Sequence, residues 1–354
     1  FLKKEILSIK HKSSLSTIYF GGGTPSILNP IQIRDLILLF KDFYGIDNGA
    51  EITMEIDPAS FDVNDLEGFI NAGVNRFSLG AQSFNNEILF EAGRRHNDKD
   101  VNNACIWLYQ AQKSKSIKSW SLDLIQNLPK SGLKIWKCDL ETALKYSQRF
   151  DGIIFSFPHD NTFNGNNSIN ESKSSSKIGI KGIPRISEII QVKRDLEILK
   201  YTGGKLFIPY ITCKESVELI KNAKDEGLNI KCSTPIMHLV YDDSEIENFN
   251  ENYKFIPPLR SKDDINFLKS GIIEGTIDMV CSMHEPINSE LKDIEFINSA
   301  PGSISLEATF GILSKIFPLE KVIELLTKGY EYFLKKKNSI NENNVANLTL
   351  FFPD

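Results

Sequence analysis

The chain contains little cysteine, and its cysteines stand far apart. It has five in 354 residues, none of them in a CxxC or CxxxCxxC group: Cys105, Cys138, Cys213, Cys232 and Cys281. Because iron–sulfur clusters need several thiolates brought together, the sequence contains no cluster-binding motif. An odd number of scattered thiols is typical of a reduced, cytoplasmic protein in which most cysteines are buried and unreactive.

A surplus of positive charge and a long apolar run are also missing. The formal net charge is −5 and the pI is near 5.7, whereas nucleic-acid binding relies on clustered Lys and Arg. No stretch of about 18 uninterrupted apolar residues occurs, so the sequence predicts no membrane span. We therefore expect neither a nucleic-acid partner nor a membrane partner.

The sequence does contain a regular alternation of short apolar runs and helical patterns. Runs bounded by Gly, Pro or Asp predict eight strands, at 17–21, 51–56, 75–80, 119–125, 152–157, 205–211, 229–233 and 276–281. One-face spacing of apolar residues predicts helices between them, most clearly over 31–40, 186–199, 216–223 and 322–334. This alternation is typical of an α/β protein with a parallel sheet and crossover helices.

Four strand–helix units fall in each half of the chain. They predict a barrel-like parallel sheet and permit a closed (βα)8 barrel built from two unlike half-barrels. In that barrel, strand 119–125 pairs with 152–157 and strand 276–281 pairs with 17–21, because unpaired edges expose backbone groups. The residues expected to face one mouth of the barrel are Gly22, Glu55, Asp123, Tyr210 and His284.

Polar stretches interrupt this alternation. An Asn/Ser-rich segment predicts a long exposed loop at 161–177, and further loops are predicted at 284–303 and 338–348. No internal repeat is visible, so the two halves are not copies of one unit.

The most informative motif is a glycine turn after the first predicted strand. Residues 17–26 read TIYFGGGTPS, in which an apolar run leads into three glycines that expose backbone N–H groups. Alone, this turn is equally compatible with a plain strand-to-helix connection. Further motifs follow in order: EITMEIDP at 51–58, NRFSLGAQSF at 75–84, GRRH at 93–96 and SLDLI at 121–125, with Leu128-Pro129. Together they resemble radical S-adenosylmethionine (SAM) proteins related to oxygen-independent coproporphyrinogen III oxidase, especially the haem-chaperone branch HemW.

This resemblance implies an open (βα)6 barrel with a SAM pocket at the carboxyl ends of its strands. The implied binding residues are Gly22, Gly23, Thr24, Glu55, Gln82, Arg94 and Asp123. The glycine turn approaches the ammonium of SAM, Glu55 accepts from the ribose hydroxyls, and Arg94 offers a planar cation to the carboxylate. Gln82 and Asp123 reach the ribose or the ammonium. Taken singly, each side chain is also compatible with a solvated loop residue or a surface ion pair.

The resemblance also implies a [4Fe–4S] cluster, whose ligands this sequence does not contain. The family holds the cluster with three cysteines after the first barrel strand, and that segment would lie before Phe1. The first residues have the pattern of a helix already under way, so the chain looks truncated. The family's Tyr-Gly after Asp-Leu-Ile is replaced by Gln126-Asn127, on the adenine side of the pocket. We expect His96 to be a loop residue and not a catalyst.

A second resemblance begins near Phe150. Its motifs are FDGIIFSFPHDN at 150–161, KIGIKGIP at 177–184, SVELI at 216–220, NYK at 252–254, PPLR at 257–260 and GTID at 275–278. They are similar to the C-terminal half of dihydroorotase-type amidohydrolases, which are (βα)8 barrels. We therefore assign residues 1–145 to a radical SAM-like partial barrel and residues 146–354 to a dihydroorotase-like half-barrel.

The second resemblance implies zinc chemistry that the sequence does not support. Dihydroorotases use His ligands at strand ends and an Asp base around one or two zinc ions, and the HxH pair of their first strand is absent. Their remaining ligand and base positions hold Tyr210, Met237-His238, Ile256 and Met283. His238 and His284 remain, but two histidines without carboxylates form a poor zinc site. Each is also compatible with a structural histidine.

Three interpretations stay open. The first is a fused, catalytically incomplete protein with no intact activity. The second is a binding or structural protein that holds SAM or haem, or that contacts an aspartate transcarbamoylase-type partner, as some non-catalytic dihydroorotase relatives do. The third is an active radical SAM enzyme or dihydroorotase whose missing parts lie outside the sequence. A CxxxCxxC group encoded upstream of Phe1 would favour the third.

Overall fold

The computed structural model describes residues 2–8, 13–126, 128–130, 132–163, 168–334, 342 and 349–350. The chain divides into two compact units, Phe1–Thr142 and Ala143–Asp354. A four-stranded parallel sheet forms the centre of each unit.

The sheet of the first unit has its strands in chain order. They are β1 (Leu15–Phe20), β2 (Ile46–Ile56), β3 (Arg76–Gln82) and β4 (Ser119–Leu124). The helices in this part of the chain are α1 (Leu2–Ser8), α2 (Pro30–Tyr44), α3 (Val63–Ala72), α4 (Asn86–Glu91), α5 (Asp98–Lys113) and α6 (Gly132–Ser147). Phe20 pairs with Met54, and Ile56 pairs with Leu79. The carboxyl ends of neighbouring strands therefore meet at one edge of the sheet.

Capping side chains determine where the helices of this unit begin. Asn29 Oδ1 accepts from the N–H of Gln32 at 2.9 Å, and Gln32 Oε1 accepts from the N–H of Asn29 at 3.0 Å. This reciprocal cap satisfies two N–H groups that the start of α2 would leave unpaired. The apolar faces of α2, α3 and α5 then bury the sheet, with Phe69 and Phe77 among the most buried side chains.

The second unit has the same strand order in a smaller sheet. Its strands are β5 (Ile154–Phe155), β6 (Leu206–Ile208), β7 (Ile230–Pro235) and β8 (Met279–Cys281). Its helices are α7 (Lys173–Lys177), α8 (Ile186–Thr202), α9 (Lys214–Asp225), α10 (Lys262–Ile273), α11 (Ser289–Lys292), α12 (Thr309–Ile316) and α13 (Leu319–Leu334). Short 3-10 turns occur at Pro25–Ile27, Gln148–Phe150, Asn161–Phe163, Ile236–Leu239, Asp243–Asn248 and Glu251–Tyr253.

The predicted fold class is confirmed. Each predicted strand overlaps one of β1 to β8, and the clearest helical patterns correspond to α2, α8, α9 and α13. The predicted seam pairings are not found: within the described residues β4 pairs with β3, β5 with β6, β8 with β7 and β1 with β2. One physical reason is length, since β5 has two residues and β8 has three, too few to hold a long ladder. No closed eight-stranded barrel is therefore found in the described part of the chain, and a mouth shared by residues of both units stays a prediction.

The prediction of an exposed loop at 161–177 is wrong for residues 168–170 and for Ser174 and Ser175, which are buried, whereas Glu171, Lys173, Ser176 and Lys177 are exposed. Asn170 is buried, with its Nδ2 donating to Asp243 Oδ2 at 2.7 Å and its Oδ1 accepting from Arg260 Nη1 at 2.7 Å. The following serines form the short helix α7. Polar side chains can be buried at little cost where each group finds a partner, and composition alone does not reveal those partners.

The remaining loop predictions have mixed outcomes. Segment 284–303 is irregular apart from α11, and it is anchored by Lys254, whose Nζ donates to the carbonyl oxygens of Phe296 and Ser299 at 2.6 Å each. Residues 164–167, and 338–348 apart from residue 342, lie outside the described residues. Among the helices that are described, none is long and apolar enough to cross a bilayer.

The backbone of Asn170 and Glu171 lies so close to Gly182 that a side chain at this position should destabilise the fold. A Cβ at Gly182 would lie 2.3 Å from the Glu171 nitrogen and 2.4 Å from the Asn170 carbonyl. We expect Gly182→Ala to lower the free energy of unfolding of the second unit by about 1–3 kcal/mol, as overpacking does. Urea denaturation followed by circular dichroism measures the change.

Gly311→Ala is the matched control, because Gly311 lies in α12 and a Cβ there meets nothing within 4 Å. Helix propensity predicts that this variant is neutral or up to about 1 kcal/mol more stable. An unchanged denaturation midpoint for Gly182→Ala would contradict the close approach.

Candidate functional site

A polar cleft lies at the carboxyl edge of the first unit's sheet. Its volume is about 250 Å³, and its lining residues are Gly23, Thr24, Pro25, Glu55, Ile56, Asp57, Ser78, Gly80, Gln82, Arg94 and Asp123. Of the predicted binding residues, all but Gly22 line this cleft. Gly22 adjoins it, since its N–H donates to Glu55 Oε2 at 3.2 Å. The structure therefore places the predicted residues together, although they come from three strands and two loops.

The glycine turn allows the chain to pass close to Glu55. Gly22 and Gly23 have φ of 81° and 61°, in the left-handed region that residues with a Cβ rarely adopt. A Cβ at Gly21 would lie 2.6 Å from the ring of Tyr19 and 3.1 Å from Glu55 Oε1. The three glycines are thus required by backbone conformation and by crowding.

Tyr19 holds Glu55 in place, although no sequence motif indicated a role for Tyr19. The Tyr19 hydroxyl donates to Glu55 Oε1 at 2.7 Å, so both carboxylate oxygens of Glu55 have a donor. This hydrogen bond is the main cause that raises the pKa of Tyr19 above its usual value. Tyr19 therefore stays a neutral donor at pH 7. The available sequence signal was its position in β1 two residues before Gly21.

Residues of strands β3 and β4 also line the cleft. Ser78 Oγ donates to Asp123 Oδ2 at 3.1 Å. Gln82, at the end of β3, has a φ of 66° and follows an irregularity in the β3–β4 pairing. Its Oε1 is buried and has no hydrogen-bond partner among the described residues. A positive φ at a non-glycine residue and an unpaired buried acceptor are both uncommon, and they occur here at the wall of the cleft.

Arg94 reaches the cleft beside a buried histidine. Arg94 Nη1 lies 4.0 Å from Asp57 Oδ2, and His96 Nδ1 lies 3.5 Å from the same oxygen. His96 Nε2 is 3.0 Å from the carbonyl oxygen of Ala81, so this nitrogen carries a proton. His96 follows α4 in a loop, as expected, but it is buried and lies against Asp57, which lines the cleft. Neither Asp57 nor this contact was predicted from the sequence.

The donors and acceptors of the cleft fit SAM. The ammonium and ribose hydroxyls of SAM are donors, and the lining of the cleft includes the carboxylates of Glu55 and Asp123 as acceptors. Its carboxylate is an acceptor, and Arg94 is a planar donor. Asn127, predicted to alter the adenine side, lies outside the described residues.

The cysteines do not fit an iron–sulfur cluster. Loss of solvation raises the pKa of the Cys105, Cys232 and Cys281 thiols to about 12, and it also raises the pKa of Cys213. The thiolate is the form that binds metal. Over the part of the chain that the structure describes, no three His, Cys, Asp or Glu side chains converge in a metal-binding group.

In the second unit, the histidines near the strand ends have structural partners. His238 is buried, and its Nε2 lies 3.0 Å and 3.2 Å from the carbonyl oxygens of Pro257 and Pro258. Burial lowers the pKa of His238 to about 4. His284 Nδ1 accepts from the N–H groups of Ser305 and Leu306 at 3.2 Å each. Each histidine thus has one ring nitrogen engaged by the backbone.

Tyr210 and Met283 occupy left-handed backbone positions, with φ of 63° and 50°. Burial raises the pKa of Tyr210 above its usual value, which disfavours a phenolate ligand. A thioether such as Met283 cannot act as a general base. The side chains at these two positions therefore supply neither a hard metal ligand nor a base at pH 7.

A buried ion pair between Arg260 and Glu188 lies in the interior of the second unit. Glu188 Oε1 accepts from the N–H groups of Thr212 and Cys213 at 2.9 Å and 3.0 Å. Arg260 Nη2 lies 3.6 Å from Glu188 Oε2, and Arg260 Nε donates to Thr212 Oγ1 at 3.1 Å. Both charged side chains are almost fully buried, and a buried charge is tolerated when it is paired and hydrogen-bonded. The PPLR motif thus contributes a structural arginine.

Comparisons with known proteins give different relatives for the two halves of the chain. Residues 2–130 match the family model of the radical SAM superfamily. The dihydroorotase of Carboxydothermus hydrogenoformans is 33% identical over 219 residues, which are 60% of this chain and 51% of that protein. The chain spans about half the length of the curated relatives it matches.

Two solved structures are also similar. D-hydantoinase from Bacillus sp. AR9 has a TM-score of 0.54 at 15% identity, covering 90% of this chain and 70% of that one. This likeness supports the α/β fold. Coproporphyrinogen III oxidase from Escherichia coli, a radical SAM enzyme, is 30% identical with a TM-score of 0.34, covering 36% of this chain and 29% of that one. The matches to the radical SAM family model and to dihydroorotases show a radical SAM region and a dihydroorotase-like region in one chain, as the motifs predicted.

The pair formed by Asp57 and His96 generates a pH prediction. Burial alone would raise the pKa of Asp57, but the neighbouring His96 ring, the N–H of Ala59 and the charge of Arg94 together hold it below the usual value. A lowered folded-state pKa stabilises the fold above the unfolded-state pKa of about 4, and this stability is lost as the pH falls through the folded-state value. We expect Asp57→Asn to cost about 1 kcal/mol at pH 7 and markedly less near pH 3.

Urea denaturation of the wild type and Asp57→Asn at both pH values measures this difference. Glu67→Gln, which removes an exposed carboxylate on α3, is the matched control and should show no pH-dependent difference. An equal penalty at both pH values would mean that the charge of Asp57 is not what stabilises the cleft.

Proposed function

We propose that this chain is a catalytically incomplete fusion whose first unit binds SAM and whose second unit is a dihydroorotase-like fold without turnover. The single observation that carries the proposal is the cleft, which gathers the predicted SAM-binding side chains around one cavity. These residues are dispersed in the chain, so their assembly at one sheet edge supports a ligand site.

Each end of the ligand has a partner of suitable chemistry. Glu55 is held by Tyr19 and Gly22, and this carboxylate is positioned to accept from vicinal ribose hydroxyls. Asp123, oriented by Ser78, accepts from the ammonium or the ribose. The guanidinium of Arg94 donates to the carboxylate of SAM. The nearby Asp57 restricts the position of this guanidinium.

SAM bound beside a reducing iron–sulfur cluster supplies radical chemistry, but the cysteines of this chain do not match that cluster. They are scattered, and their thiolate forms are disfavoured at Cys105, Cys213, Cys232 and Cys281. The cleft residues therefore bind and orient SAM, but the cysteines of this chain do not hold the iron–sulfur cluster that would reduce it. A haem partner has no separate support from the geometry.

Among the residues described in the second unit, no group of side chains is suited to hold a zinc hydroxide. A catalytic zinc ion needs about three protein ligands and an oriented base. At the corresponding positions the chain has Tyr210 and Met283, and His238 is buried with one nitrogen held by backbone carbonyl oxygens. The role that fits this unit is that of a scaffold, and an aspartate transcarbamoylase-type partner is one that the resemblance suggests.

Isothermal titration of the full chain with SAM tests the first part of the proposal. We expect one site per chain, and we expect Glu55→Gln and Asp123→Asn each to raise the Kd about tenfold, because each loses a charge-assisted hydrogen bond. Glu67→Gln should bind like the wild type. Absence of any binding heat or thermal shift with the wild type would overturn SAM binding.

Assay of dihydroorotate hydrolysis with added zinc tests the second part. We expect no turnover above background, and no restored turnover in Met283→Asp, because this substitution returns a base without the metal ligands. A metal-containing dihydroorotase assayed in parallel shows that the assay works. Tightly held zinc together with hydrolysis by the wild-type chain would refute the proposal.

A further inference from the structure

We propose that the cleft selects its ligand by positive charge, so that it binds the sulfonium form, SAM, more tightly than the neutral thioether S-adenosylhomocysteine. This inference rests on the proposed SAM-binding function and adds a specificity to it. The two ligands share the adenosine and the amino-acid group and differ in the methyl group and charge at sulfur. Any difference in affinity therefore reports mainly on charge.

The lining of the cleft has more negative than positive groups. Glu55, Asp57 and Asp123 are carboxylates, and Arg94 is the cation in the lining. Arg94 Nη1 lies 4.0 Å from Asp57 Oδ2, so these two charges largely offset each other. The His96 imidazole also faces Asp57. Glu55 and Asp123 are left as the uncompensated charges.

The hydrogen-bond partners of these two carboxylates are neutral. Glu55 accepts from the Tyr19 hydroxyl and the N–H of Gly22, and Asp123 accepts from the Ser78 hydroxyl. Neutral donors orient a carboxylate but leave its charge in place. The nearest further cation on β3, Arg76, has its Nε 4.0 Å from Glu51 Oε1 and is thereby offset.

An independent feature of the same wall also favours an electropositive ligand. Gln82 lines the cleft, and its buried Oε1 has no hydrogen-bond partner among the described residues. Gln82 is 9% exposed, so water does not readily replace the missing donor. A positively polarised group in the cleft would satisfy this oxygen as well as the two carboxylates.

The size of the effect follows from Coulomb attraction in a partly solvated cavity. The positive charge of the sulfonium is attracted by the uncompensated carboxylates, and salt reduces this attraction. The cleft is open to solvent, which keeps the attraction small. We expect S-adenosylhomocysteine to bind about fivefold more weakly than SAM at low ionic strength.

Isothermal titration of the full chain with SAM and with S-adenosylhomocysteine, at about 20 mM and 500 mM salt, tests the inference. The ratio of the two Kd values should be about five at low salt and fall towards one at high salt. Asp123→Asn and Glu55→Gln should each reduce the ratio at low salt, whereas Glu67→Gln should leave it unchanged. Circular dichroism shows whether each variant is folded.

The outcomes separate this inference from the proposed function. If both ligands bind with equal Kd at both salt concentrations, the charge selectivity is refuted and SAM-type nucleoside binding stands. If neither ligand binds, the proposed function fails, and the inference fails with it. If one carboxylate variant does not fold, the other variant and the salt dependence of the wild type still show whether the cleft selects its ligand by charge.

Discussion

The parallel pairing of β1 to β4 is the constraint on which the candidate site depends. Parallel strands run in one direction, so their carboxyl ends meet at the same edge of the sheet. Glu55 is opposite Ser78 in the β2–β3 pair, and Ser78 is opposite Ser121 in the β3–β4 pair. A one-residue slip in either register would turn these side chains to the other face of the sheet. The hydrogen bond between Ser78 and Asp123 exists only in the observed register.

The glycine turn and the contacts of Glu55 shape the cleft at this edge of the sheet. Left-handed backbone at Gly22 and Gly23 brings an N–H group to Glu55, and the absence of a Cβ at Gly21 leaves room for Tyr19 beside the same carboxylate. The result is a carboxylate that is held in place by two neutral donors. Fixed polar groups of this kind cost little reorganisation when a ligand arrives.

The second unit has the same kind of edge, but many of its polar groups already have partners, although Arg260 Nη2 and His238 Nδ1 have no hydrogen-bond partner among the described residues. Arg260 and Glu188 pair with each other and with Thr212, and His238 is held by backbone carbonyl oxygens. Groups that have found partners inside the fold stabilise it and have little left to offer a metal ion or a substrate. The contrast between the two edges explains why we propose a ligand site in one unit and a scaffold in the other.

Much of the architecture followed from the sequence, because strand and helix formation depend on local spacing of apolar residues. The motifs also predicted which residues would gather at the strand ends, Gly23, Glu55 and Asp123 among them. The sequence did not predict the support from Tyr19 or from the pair of Asp57 and His96. Nor did it predict that the polar stretch around Asn170 would be buried against Arg260.

The sequence by itself therefore determined the α/β alternation and the chemical types present at each strand end. Only the tertiary structure decided which charges are paired: Arg94 with Asp57, and Arg260 with Glu188. It also decided which charges, those of Glu55 and Asp123, are left facing a cavity. The physical reason is that pairing depends on distances of a few ångströms between residues far apart in the chain, and no local pattern records those distances.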